Sequence, residues 1–432
     1  MARPVTRRIA AFTIAVALVA SACSGTGDGE PVGDGSVTFM AFGDPEELRA
    51  YRTLIDAFEL AETGISVDFV AASDREDLLA RLATSFSGGS PPDLFLMNYR
   101  FYGQFVARGV LEPLGPRIET SQEFQPDDFY PQAMEAFQHE GEQICLPQNV
   151  SSLVVYYNVD LFRDAGIPPP APGWTWDEMV AAAQELTVDL DGDGTIDRYG
   201  LGIEPEIIRL APFVWSNRAS LFDDEVDPTS FATTTPLAME AMARFFALRS
   251  FHEVVPTDEE IESQDDESRF LEGTTAMVMS SRRSTTTFRT ITDFEWDVAP
   301  LPVLRDPVTI LHSDAYCMTT ASDDKDAAWR FVEFAVGPEG APVIAETGRT
   351  VPSLISVATS EAFLDPDQPP AHAEVFLDTL PVMRRVPSIS TWPEIEDAAA
   401  GILEQGFYEG APVLEVARQL IVVTAPMFAR AE

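Results

Sequence analysis

Between residues 36 and 98 short apolar runs alternate with amphipathic ones, and this alternation narrows the fold more than any other feature of the chain. SVTFMAFG starts with period-two apolarity and stops at a glycine, as a strand entering a loop does. Residues 46–61, EELRAYRTLIDAFELA, repeat apolar positions at three- and four-residue spacing, which predicts a helix. ISVDFVAA reads as a second strand. Residues 74–86 form a second helix with Leu78, Leu79, Leu82 and Phe86 on one face, and GGSPPDLFLMN is a turn into a third strand. Strands separated by helices need crossovers, so this α/β order implies a largely parallel sheet covered by helices. Ligands of such sheets gather at the carboxyl ends of the strands, here the loops beginning at Phe42 and Asn98.

The pattern continues. SLVVYYN leads into a short helix closed by Gly166, and Pro147, Gln148 and Asn149 lie between two strand-like runs. In TWDEMVAAAQELT, Thr175 caps the helix with Glu178 as its reciprocal partner three residues on. Residues 236–250 and 324–336 read as further helices, and the stretch from Trp392 to Phe428 as two helices parted by Gly410 and Pro412. At 432 residues and 45% hydrophobic, the chain has enough apolar surface for two cores.

The first 22 residues have the form of a secretory signal: Arg3, Arg7 and Arg8, then an apolar run from Ile9 to Ala20, then small residues. VASAC resembles the lipobox of bacterial lipoproteins, in which the cysteine is lipidated, although Ala20 stands where leucine is commonest. On that reading Cys23 carries the anchor, residues 23–35 are a polar tether, and contact with the membrane is through the N-terminal lipid alone. The alternative is a signal removed outright. If the anchor consumes Cys23, Cys145 and Cys317 remain as an even pair in an oxidising compartment, to be read as a disulfide or as two buried thiols.

Seventy acidic residues against 28 basic ones, a formal charge of -42, argue against a nucleic-acid groove or a broad anionic-membrane surface. Lys325 is the sole lysine, so nearly every positive charge is a planar guanidinium, able to grip a carboxylate or phosphate at two points or lie against a ring. MVMSSRRSTTTFR holds two of them, Arg282 and Arg283, side by side.

No catalytic pattern is visible: no G-x-S-x-G elbow, no H-E-x-x-H, no phosphate-binding G-x-x-x-x-G-K-[ST], and no helical pairing among His139, His252, His312 and His372. DLDGDGTIDRYG does space Asp189, Asp191, Asp193 and Asp197 as positions one, three, five and nine of a calcium loop, with Gly194 at the turn. Gly200 replaces the bidentate glutamate, so a complete EF-hand is excluded, leaving either a weaker structural calcium site or a solvated acidic turn. Beside strand ends stand Phe42 and Asp44, Asn98 and Tyr99, Trp215 and Asn217, Arg282 and Arg283, and Asp314 and Tyr316. Rings next to fixed polar groups suit sugars, whose C–H faces stack while their hydroxyls pair. Core packing is the competing reading for Phe42, Tyr99 and Trp215, and surface placement for the arginines.

PPDLFLMNYRFYGQFVARGVLEPL, SSLVVYYNVDLFRDAGIPPPAPGWTWDEMVAAAQELT, PFVWSN, FLEGTTAMVMSS, EWDVAPLP and KDAAWRFVEFAVGPEG together resemble the extracellular solute-binding proteins of family 1, the maltose-binding-like components of bacterial ABC importers. The resemblance runs from about residue 36 to the end of the chain. It implies a non-enzymatic, monomeric two-lobe binding protein with no required cofactor, anchored on the outer face of the cell membrane. Such a protein closes over a sugar or oligosaccharide and delivers it to the permease.

Lobe one would comprise residues 36–148 and 300–337, and lobe two residues 152–297 and 340–425. Both Cys145 and Cys317 then fall in lobe one, which favours the disulfide. Asn98, Tyr99, Asn149, Trp215, Asn217, Asp314, Tyr316 and Arg349 join the ligand set, and Arg283 stands where relatives place a stacking tryptophan, with Arg282 beside it at the cleft rim. That exchange opens an alternative ligand class, a phosphorylated or acidic sugar or a glycerophosphodiester. A secreted carbohydrate-active enzyme is the remaining alternative.

Overall fold

The computed structural model describes residues 35–43 and 45–431; the signal segment, Cys23, the tether up to residue 34 and Asp44 lie outside the described residues. In chain order the first elements that position the site are β1 (Gly35–Phe42), α1 (Pro45–Ala61), β2 (Ile65–Ala72), α2 (Arg75–Ser87), β3 (Leu94–Asn98) and α3 (Tyr99–Val106). Then come β4 (Cys145–Pro147), β5 (Ser151–Ser152), β6 (Val154–Asn158), α4 (Trp176–Leu186), α5 (Ile207–Ser216), α6 (Pro236–Ser250), α7 (Asp266–Leu271), β7 (Met277–Ser280) and β8 (Trp296–Ala299). The chain ends with β9 (Thr309–His312), β10 (Asp314–Met318), α8 (Lys325–Val336), α9 (Ala341–Ala345), β11 (Met383–Arg384), α10 (Trp392–Phe407) and α11 (Val413–Phe428).

The architecture is α/β with two lobes and a cleft between them. In lobe one the sheet runs β2-β1-β3-β10-β4; the first three strands are parallel, as the opening alternation predicts, and β10 is antiparallel to both of its neighbours. Phe39 packs on Tyr51 of α1 and Phe331 of α8, while Phe95 meets Phe86 and Phe105 of α2 and α3. Helices thus cover both faces, as a largely parallel sheet requires.

The second lobe is built on β8-β6-β7, all antiparallel. Its helical layer is held by aromatic contacts from Trp176 to Phe213, Phe213 to Phe245 and Phe245 to Phe407. Thr175 and Glu178 form the predicted reciprocal cap on α4.

A third, three-stranded sheet, β11-β9-β5, is made of chain crossings. β5 joins β4 of lobe one to β6 of lobe two, and β9 lies between β8 of lobe two and β10 of lobe one. They pair antiparallel, with His312 opposite Ser151, and β11 adds in parallel along β9. The chain from residue 340 onward remains at first against lobe one: α9 packs on α1, Val150 donates to the Val351 carbonyl, and Ser353 donates to that of Gln148.

Cys145 and Cys317 face each other in register on β4 and β10, Cα atoms 4.5 Å apart, and are disulfide-bonded. That is the spacing of a non-hydrogen-bonded antiparallel pair. Linking residues 172 positions apart restricts the unfolded chain, a contribution of about 2–4 kcal/mol. Among the described residues no helix is long and apolar enough to cross a membrane.

Candidate ligand-binding cleft

Asn98 ends β3 and caps α3, its Oδ1 accepting from the Arg100 backbone N–H at 3.2 Å, as an extended residue with a short polar side chain does at a helix start. Its amide donates to Asp314 Oδ1 at 3.1 Å, across the β3–β10 register that pairs the two residues. Asn149 accepts from the Asp314 backbone N–H at 2.8 Å and donates to Asp314 Oδ2 at 3.4 Å. The sheet therefore brings Asn98, Asn149 and Asp314 together at the mouth of lobe one, with the carboxylate held by two amides.

Residues unmarked in sequence complete the surroundings. Arg75, the first residue of α2, and Arg100 of α3 flank the Phe101 ring, with guanidinium carbons 4.7 and 5.4 Å from its centre. Arg100 is buried; its Nε donates to Asn98 Oδ1 at 3.3 Å and it pairs with Glu396 of α10, a helix that packs on both α3 and α5. From lobe two, Arg209 of α5 pairs with Glu204 at 3.0 Å, and its Nε and Nη1 are buried without a hydrogen-bond partner.

α5 packs on β9, which ends at His312, whose Nε2 is likewise buried and unpartnered. Burial, and then the charges of Arg209, Arg100, Arg283 and Arg75, hold His312 well below the ordinary imidazole range, so it is neutral at physiological pH. The charges of four guanidiniums from two lobes thus act on one crossing strand.

Several expected residues prove to be structural. Tyr99 and Tyr316 are fully buried, and burial raises both phenols. Tyr316, on the same face of β10 as Asp314 but deeper in the lobe, packs against Phe39 and Phe331 and receives a hydrogen bond from Gln148 at 2.8 Å. Trp215 is 2% exposed and the Arg384 guanidinium lies 4.7 Å over its ring, so no open face remains for a sugar. Asn217 is buried too, holding the Leu237 carbonyl at 2.7 Å and accepting from Arg305 at 2.8 Å. Phe42, half-buried, packs against the core.

The arginine pair divides. Arg282 is not at the rim: it is wholly buried between the Phe363 and Phe376 rings, 4.7 and 5.2 Å away, and donates to the Gly348 carbonyl at 2.7 Å. Arg283 is 60% exposed and lies 3.9 Å from Glu267. Arg349 is buried and paired with Glu47 of α1, within lobe one.

In the aspartate loop, Asp189, Asp191 and Asp197 offer carboxylate oxygens within 4.8 Å of one another; Asp193 does not join them and accepts instead from the Thr195 N–H at 2.7 Å. The Gly194 and Gly192 N–H groups bond Asp189 at 2.9 and 2.7 Å and hold its carboxyl below the usual range. A surface cavity of about 700 Å³ near Ile118, Phe129 and Met134 contains none of the candidate residues.

Residues 43–342 match the family model described as bacterial extracellular solute-binding protein, and the chain belongs to that family. These are non-catalytic transport proteins, so the enzyme alternative falls away. A binding-protein candidate of Brucella abortus (strain 2308) is 26% identical over 366 residues, covering 82% of this chain and 83% of its own. The solved structure of a Listeria monocytogenes ABC substrate-binding protein in complex with cycloalternan superposes with a TM-score of 0.81 at 25% identity, covering 89% of this chain and 97% of that one. A maltose-bound T. maritima protein, 17% identical with a TM-score of 0.76 over 91% and 99% of the two chains, shares the fold.

Behind Arg209, Asp266 begins α7 with Oδ1 buried and unpartnered. Burial, reinforced by Glu204, raises its carboxyl from 3.8 to about 8. A carboxyl whose folded pKa is raised contributes most below the unfolded value, and that contribution is lost as pH climbs through the folded one. Asp266→Asn is therefore expected to melt higher than wild type at pH 7.5, with the gap shrinking toward pH 4. Thermal melts across that interval check it; a gap independent of pH refutes the assignment.

Proposed function

We propose that this chain is the extracytoplasmic capture component of an ABC importer, holding a sugar or oligosaccharide between its lobes and presenting it to the permease. What supports the reading is the polar end of the lobe-one sheet, where Asn98 and Asn149 hold Asp314 next to the crossing strand that ends at His312, on which the charges of Arg209 and Arg283 from lobe two act. Ligand held from both sides favours the closed arrangement of the lobes, which a permease can distinguish from the open one. The oligosaccharide complex of the Listeria relative supports the ligand class. Attachment through a lipid on Cys23 and a calcium ion in the aspartate loop belong to the same reading, the ion pinning a loop of lobe two away from the cleft. The protein acts as a monomer.

Three outcomes are expected. Calorimetry against a glycan panel gives saturable binding with the glycan recovered intact; turnover of the glycan, or no binding across a wide panel, sinks the proposal. Cys23→Ser expressed in a bacterial host moves the protein from the membrane fraction to the medium or periplasm, and unchanged fractionation refutes the anchor. Chelator lowers the melting temperature of protein purified in calcium, and an unchanged melt together with no calcium by metal analysis returns the loop to an acidic turn.

A further inference from the structure

We propose that the cleft selects sugars bearing an anionic group, a carboxylate or a phosphate ester, and that Arg75, Arg209 and Arg283 are the residues that read it. This deepens the sugar-capture reading above and rests on it.

Arg75 occupies a costly position. It is the first residue of α2, just after the Asp74 cap, where the positive end of the helix dipole disfavours a cation. It is half-buried and shares the Phe101 ring with Arg100, and burial together with that neighbour lowers its pKa. Among the described residues it has no hydrogen bond and no ion pair. In a chain with 70 acidic residues to 28 basic ones, carboxylate partners are plentiful, yet this guanidinium is left without one. An acceptor arriving with the ligand would offset that cost.

The balance of donors and acceptors points the same way. Most carboxylates around the cleft are already engaged: Glu396 by Arg100, Glu204 by Arg209, Glu267 by the hydroxyls of Ser280 and Ser284 at 2.7 and 2.5 Å, and Asp314 by the amides of Asn98 and Asn149. Glu206, whose charge acts on both Arg100 and Arg209, is the remaining acceptor and suits a ligand hydroxyl. What lacks a close partner is chiefly donors: Arg75, and Nε and Nη1 of Arg209, with the exposed Arg283 only loosely paired, 3.9 Å from Glu267. A sugar hydroxyl both donates and accepts, whereas a carboxylate or phosphate only accepts. A wall of guanidinium donors is complementary to the second kind of group, and guanidinium binds it at two points.

The field agrees with the geometry. The charges that act most strongly on His312 are arginines drawn from both lobes, within a protein of net charge -42. Arg75 comes from lobe one and Arg209 and Arg283 from lobe two, so an anion between them relieves repulsion across the cleft and draws the lobes together.

Calorimetry on the mature protein with matched probes tests this: glucose, glucuronate and glucose 6-phosphate; galactose, galacturonate and galactose 6-phosphate; the corresponding disaccharides; and glycerol 3-phosphate as an anion without a sugar. At least one anionic sugar is expected to bind about tenfold or more tightly than its neutral parent, and to weaken as salt rises from about 50 to about 500 mM. The uronate and phosphate arms identify which anion it is. Arg75→Gln and Arg283→Gln are each expected to weaken that ligand about 10- to 100-fold and the neutral parent less than about threefold. Arg283 is exposed, so its variant stays informative if Arg75→Gln folds poorly. Neutral parents binding at least as tightly, or an anionic sugar indifferent to both substitutions, overturns the inference while sugar capture stands. Binding of glycerol 3-phosphate alone preserves anion recognition and removes the sugar, and no binding by any probe overturns both.

Discussion

Everything in the cleft depends on one small sheet in which the chain's crossings between lobes hydrogen-bond to one another. β5, β9 and β11 contribute only Ser151–Ser152, Thr309–His312 and Met383–Arg384, yet β5 and β9 lie where the chain passes from one lobe to the other. Because β5 and β9 are paired in register, His312 and Ser151 keep a fixed relation, and Ser151 Oγ accepts from the Arg282 backbone N–H at 3.1 Å. Two residues beyond His312 the chain enters β10 at Asp314. The same few backbone bonds therefore set the spacing between the acidic floor of lobe one and the arginine loop of lobe two, while the lobes remain free to bend about a short, two-to-four-residue-wide support.

The burial of Arg282 shows how that arginine loop is aimed. A buried guanidinium is costly unless its donors are met; here aromatic faces and the Gly348 carbonyl share the task, Nη1 is left unpartnered, and no carboxylate among the described residues is in direct contact. Anchoring Arg282 inward through a short 3₁₀ turn, Arg282–Ser284, leaves its neighbour to face outward. Arg283 thus owes its exposure to the residue before it. Two adjacent identical side chains acquire opposite roles from backbone geometry.

Much of the fold was legible because it depends on period. The strands and helices from residue 36 to 98, the Thr175–Glu178 cap and the parting of the last two helices at Gly410 and Pro412 all arise from spacing and capping chemistry that one stretch of sequence contains. The cleft was legible where the rule that ligands meet strand ends applies, at Asn98 and Asp314. The same rule extended to β2 would have reached Arg75, three residues past Ala72. Tyr316 and Asp314 lie two apart on one strand and share a face, but Asp314 stands at the strand's end while Tyr316 lies deeper, where packing against Phe39 and Phe331 covers it. Trp215 and Asn217 looked like ligand residues because they are an aromatic and an amide; their partners, Arg384 and Arg305, come from 169 and 88 residues away and carry no local signal. Arg100 and Glu396 were illegible for the same reason, since a pairing between distant helices leaves no mark in either.

The Arg100–Glu396 pair explains why so acidic a protein keeps its scarce cations in one place. A buried ion pair adds little net stability, because desolvating both charges offsets most of their attraction, but losing either partner is strongly unfavourable. Such a pair acts mainly as a specification of geometry: α10 can dock on α3 only where Glu396 meets Arg100. Placing it beside Arg75, with Arg209 and Arg283 on the other lobe, gathers guanidinium donors within an acidic surface that repels anions in general. That surface sets a barrier that an anionic ligand overcomes only when its charge and shape can reach the guanidiniums. The acidic surface and the arginine cluster then work as one filter, the first excluding anions in general and the second admitting those that fit.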